Sequence, residues 1–196
     1  MNNSLKLKKE DILLAFLYSK GATDAVNEPI SGRTRLVKLM FIFTEDYSKQ
    51  FNQGNSLIAD EDLPDFFSWK FGPMSKDVLQ DIEFFKKVKF LKTEEIKNSV
   101  AFEEAEELGS LTEEYSLDDN IEFEYVYERY SLTEIGKGYV EEKIKSLLNQ
   151  NQWDLLAKLK KRFNEASLRN ILQYVYAKHP EKTDKSIIKD KIMKVS

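Results

Sequence analysis

Residues 66–92 read FFSWKFGPMSKDVLQDIEFFKKVKFLK, and this stretch decides the fold. It opens on an aromatic run, Phe66, Phe67, Trp69 and Phe71, which reads as a strand. Gly72-Pro73 follows and is expected to stop that strand, because glycine admits unusual φ and proline has no amide donor. Ser75 is a good N-cap, with a side-chain oxygen for the open amides of a first turn. Val78, Leu79, Ile82, Phe85 and Val88 then recur at three- and four-residue spacing, which predicts an amphipathic helix. A short apolar strand over 88–91 leaves it. The unit is strand, sharp turn, helix, strand, and it contains no catalytic group.

Working outward, 196 residues suit one domain or a domain with a helical extension. At 41% hydrophobic and 33% charged, the chain can bury a core. Thirteen Phe and nine Tyr favour an aromatic interior. The absence of cysteine removes disulfides, thiolate zinc sites and cysteine nucleophiles together, and fits a cytoplasmic protein. The N-terminal apolar run is broken at Ser19-Lys20 and reads as a first helix rather than a signal peptide. No apolar run is long enough to span a bilayer.

Net charge is −4 but segregated. Residues 94–128 set a run of Glu and Asp against the single Lys97, whereas 129–196 are lysine-rich. Two readings stand: two solvated surfaces, or a site for something charged.

Around the central unit, a helix is expected over 8–20, ended by Gly21, and a second opens at Ser31 with Leu36, Leu39, Met40 and Phe43 as its core stripe. Arg33, Arg35 and Lys38 lie near the start of that helix. Cations there oppose the helix dipole, so they point either to nearby carboxylates or to an acidic partner. The acidic tip Asp60-Glu61-Asp62 lacks the glycine and distal Glu of a calcium loop. Residues 94–121 read as an acidic insertion between two strands of a β-ribbon. The second strand, over 122–132, alternates Phe123, Tyr125 and Tyr127 with charged residues. Thr133 caps a further helix, in which Gly136 and Gly138 either weaken it or admit another backbone. Helices follow over 153–163, after Ser167, and at the tail around Ile187, Ile188 and Ile192.

The expected fold is α+β and mostly helical: a winged-helix-like core over 1–150, with a small antiparallel ribbon, and a C-terminal helical extension over 151–196. No catalytic set, cofactor or metal site emerges. His179, the only histidine, reads as a surface residue at a helix end. A winged helix would present the helix after Ser75 to DNA, but Asp77, Asp81 and Glu83 on it, and the acidic wing, oppose phosphate. Aromatic anchors for a protein partner fit better.

Two motifs carry a resemblance. Gly32-Arg33-Thr34-x-Leu36-x-Lys38-Leu39-Met40-Phe41, followed by Phe67-x-Trp69-x-Phe71-Gly72-Pro73-x-Ser75, resembles the bacterial and phage SocA-like Panacea domain and the related YwgA-like proteins. That family has a Lys-Leu-x-Lys-Leu-x-Tyr/Phe helix followed by a Tyr-Gly-Pro turn, and here Leu36, Lys38, Leu39 and Phe41 stand in the first and Phe71-Gly72-Pro73 in the second. The resemblance implies a non-enzymatic adaptor, similar to antitoxins that bind a cognate toxin or hand it to a protease. The expected partner-binding residues are Arg33, Arg35, Lys38, Trp69, Phe71, Gly72 and Pro73. The alternative is a winged-helix transcriptional regulator that binds nucleic acid.

Overall fold

A computed structural model describes residues 6–95 and 128–194. Most of the acidic insertion, with the alternating Phe123, Tyr125 and Tyr127, lies outside these residues.

The architecture is α+β and mostly helical, as expected, with one three-stranded and one two-stranded antiparallel sheet. Helix α1 (Lys9–Tyr18) is followed by a two-residue strand β1 (Ile30–Ser31) and helix α2 (Arg33–Ile42). A π-turn (Phe43–Tyr47) and a short α3 (Ser48–Phe51) extend α2. The hairpin β2 (Phe67–Trp69) and β3 (Gly72–Met74) leads into α4 (Lys76–Lys87). Strands β4 (Leu91–Glu95) and β5 (Glu128–Leu132) come next. Then follow α5 (Glu134–Tyr139), a π-turn (Val140–Ile144), α6 (Gln150–Glu165), α7 (Leu168–Lys178) and α8 (Lys189–Met193). The larger sheet runs β1-β5-β4, with Leu91 opposite Leu132 and Ile30 opposite Tyr130.

Helix α2 is the hub, packed against β1, β3, α4, α6 and α7. Every residue from Arg35 to Ile42 is buried. A helix enclosed on all sides cannot obey a single apolar stripe, so Arg35 and Lys38 go inside together with Leu36, Leu39 and Met40. Three of the expected serine and threonine caps act where the sequence sets them. Ser75, Thr133 and Ser167 accept from the amides of Val78, Gly136 and Asn170. Gly136 does admit another backbone: a Cβ there would stand 2.2 Å from the Phe90 carbonyl oxygen.

Several boundaries differ from expectation. Ser31 does not open α2; it pairs with Arg129 in the sheet, and Gly32 at φ +88° turns the chain into the helix. Gly72-Pro73 does not end a strand. It begins the returning strand of a hairpin, with Ser68 opposite Pro73 and Trp69 opposite Gly72. A two-stranded ribbon gives proline an edge, where its missing donor costs nothing. The strand expected over 88–91 starts at Leu91, because α4 runs on to Lys87 and Lys89 turns the chain at φ +60°. The C-terminal helices pack back on the core, in line with the sequence: α6 and α7 lie on α2, and α7 also touches β3. Among the described residues no helix is long and apolar enough to cross a membrane.

Candidate functional site

The hairpin is built from the residues that carry the resemblance, and the rest of the chain clamps it. Gly72 sits at φ +79°, and a Cβ there would lie 2.6 Å from Cε1 of Tyr176. Only glycine suits both the backbone and the ring beside it. The Lys38 ammonium donates to the Pro73 carbonyl at 2.6 Å. From the C-terminal side, Lys182 Nζ donates to the Phe66 carbonyl at 3.0 Å and the Ile187 amide to the Lys70 carbonyl at 2.9 Å. The Lys185 amide donates to Ser68 Oγ at 3.0 Å, and Ser186 Oγ, 2.9 Å from the Tyr176 hydroxyl, also reaches the Lys70 carbonyl. On the same hairpin Phe67 is 37% exposed and Trp69 half-buried, and their rings meet edge to face with centroids 6.0 Å apart.

The seven expected partner-binding residues therefore divide. Trp69 reaches the surface, and Arg33 is half-buried. Arg35, Lys38, Phe71, Gly72 and Pro73 are buried, which removes them from any contact surface in this conformation. Arg35 donates to the carbonyls of Phe163 and Ala166 at the end of α6, and to Ser31 at 3.1 Å. It answers the unpaired carbonyls of a helix C-terminus rather than an outside acid. Arg33 meets a carboxylate of its own chain, Glu83, at 3.0 Å, and Lys86 lies 3.6 Å from Glu128. Both readings of these cations pointed outward, whereas two of the three point in.

Burial sets their electrostatics. Desolvation pulls the Lys38 amine down to about 7, and among the described residues no carboxylate stands beside it to oppose the effect. Lys160 is likewise pulled down to about 7 by burial, opposed by Glu28, while its Nζ donates to the carbonyls of Leu17 and Ser19 at 2.8 Å. That pair of bonds caps the end of α1.

Sequence reasoning misplaced His179. It is 9% exposed and stands edge-on to Phe41, with centroids 4.9 Å apart. Its Nε2 lies 3.1 Å from Asp46 Oδ1 without the alignment of a hydrogen bond. Asp46 also accepts from the Tyr174 hydroxyl at 2.9 Å and pairs with Lys178 at 2.9 Å. The wider π-turn at Phe43–Tyr47 aims Asp46 at the end of α7. No sequence period announces a π-turn, so no local signal located this pairing.

A second aromatic surface lies on α4. Phe84 is 56% exposed and Val88, one turn on, is also exposed. Below them Phe85 stacks on Phe90, with centroids 6.0 Å apart.

No protein-family model, no curated protein and no solved structure matches the chain. What the fold and the hairpin define together is a helical α+β protein holding a rigid aromatic ribbon at its surface.

Proposed function

We propose that this protein is a non-enzymatic protein-interaction module of the cytoplasm, antitoxin- or adaptor-like, that docks a protein partner on the outer face of the β2–β3 hairpin. The observation that carries the reading is the clamped ribbon with Phe67 exposed and the half-buried Trp69 beside it. A preorganised backbone loses little conformational freedom on binding, so aromatic anchors on it contribute more of their burial to affinity. The resemblance of 32–41 and 67–75 to SocA-like domains supports a toxin or a protease as that partner. The test is capture of a partner by the wild-type chain and its loss in Phe67→Ala/Trp69→Ala.

The second reading is a winged-helix nucleic-acid-binding regulator, favoured by one observation. The order α1, β1, α2, α4, β4, β5 with sheet order β1-β5-β4 supports a winged-helix core with α4 as its third helix. The charges weigh against it, because Arg33 and Lys86 are already engaged by Glu83 and Glu128. Salt-sensitive DNA binding lost in Arg33→Glu would promote this reading.

A further inference from the structure

Asp154, Lys158 and Arg162 recur every four residues on α6 and form one row along it. Facing the row stand Tyr47, Gln50 and Gln53, from the end of the α2–α3 run. Between the two walls is a groove of about 400 Å³. Its floor is apolar, made by Phe51, Leu155 and Leu159, and its rims carry side-chain amides. A smaller cavity of about 100 Å³ continues past Arg162 and is lined mainly by apolar groups, among them Ile42, Phe163 and Ile171. The two cavities share Leu159 and Arg162. The Arg162 guanidinium lies over the Tyr174 ring, 5.2 Å from its centroid.

The charges on this groove are not balanced within it. Lys158 and Arg162 are exposed, and among the described residues no carboxylate pairs with either. Asp154, the one acid in the row, accepts from the Gln150 side-chain amide at 2.7 Å. Asp46, behind Tyr174, is engaged by Lys178. Two cations one helical turn apart therefore face the groove, with an apolar cavity beside the second. Side-chain amides suit the donors and acceptors of a peptide backbone, whereas Asp154 in the same row opposes a run of phosphates.

We propose that this groove binds an acidic peptide segment, its carboxylate held by Lys158 and Arg162 and a neighbouring aliphatic side chain seated in the smaller cavity. The site is separate from the hairpin face and stands even if the hairpin docks nothing.

The probe is a capped peptide with a central Leu-Glu pair in a Gly/Ser background, titrated into the full-length ¹⁵N-labelled chain. The expected result is shifts of the side-chain amides of Gln50 and Gln53, together with the backbone of α6. Leu-Gln and Ala-Glu peptides should each bind about tenfold more weakly, as should the Leu-Glu peptide to Lys158→Ala/Arg162→Ala. An unchanged spectrum away from the groove shows that this variant is folded. Trp69→Ala should bind like the wild type, which separates this site from the hairpin reading. Equal binding of Leu-Gln, shifts confined to the hairpin, or no shift at millimolar peptide would each overturn the proposal.

Discussion

The Lys38 ammonium lies 2.6 Å from the Pro73 carbonyl oxygen and ties the buried face of α2 to the returning strand of the hairpin. A charged group thus sits where most proteins place leucine, and its position has a pH signature.

Burial brings both Lys38 and Lys160 from the ordinary 10.5 down to about 7. Between about pH 7 and about pH 10 the unfolded chain binds protons on these amines that the folded chain does not. Stability therefore rises with pH across that window. Other shifted groups act outside it. Asp81, raised to about 6 by burial and by Glu10, acts below, while Tyr18 and Tyr176, each raised to about 12 chiefly by burial, act above the ordinary 10.0. Urea midpoints measured across the window should climb for the wild type, and less steeply in Lys38→Met and in Lys160→Met. A flat wild-type profile would contradict the burial of these amines.

Gly72→Ala should destabilise by about 3 kcal/mol, combining a left-handed alanine with a Cβ pushed against Tyr176. In a Tyr176→Leu background the cost should fall by at least about 1 kcal/mol, because the clash goes and only the backbone term remains. Urea denaturation of the four proteins closes the cycle. Additive costs would mean that ring and glycine are not in contact.

Arg35→Met should cost about 3 kcal/mol or more, since it strands carbonyls of Ser31, Phe163 and Ala166 that one guanidinium now serves. Arg35→Lys should recover little, because a single ammonium lacks the fork that reaches β1 and the end of α6 together. Thermal unfolding of both variants measures this. A near-wild-type lysine variant would argue that only charge matters at this site.

Much of this was legible in residue order, and the exceptions share a cause. Ser75, Thr133 and Ser167 were readable as caps because capping is local: the acceptor and the amide lie within one turn. The stripe of α4 was readable because one of its faces meets water. Helix α2 was not, since a helix enclosed on every side buries Arg35 and Lys38 as readily as Leu36, and their carbonyl partners lie far along the chain. Gly72-Pro73 was misread as the turn, which falls on Lys70-Phe71, because Ser68 and Trp69 opposite are what make Gly72-Pro73 a strand. His179 was misread because Asp46 reaches it through a π-turn and lies 133 positions earlier in the chain. The exposed half of the candidate site, Phe67 and Trp69, was visible only as an aromatic run. Which rings turn outward depends on the clamp from Lys182, Lys185, Ser186 and Ile187.

The central claim is that the outer face of the hairpin docks a protein. The most direct measurement is affinity capture with the tagged chain, at low and high salt and with and without nuclease, run in parallel on the wild type and on Phe67→Ala/Trp69→Ala. The account predicts one protein that survives nuclease and salt with the wild type and is lost with the variant, while the variant keeps its unfolding midpoint within a few degrees. Equal capture by the folded variant, or recovery of nucleic acid that vanishes with salt, would contradict it.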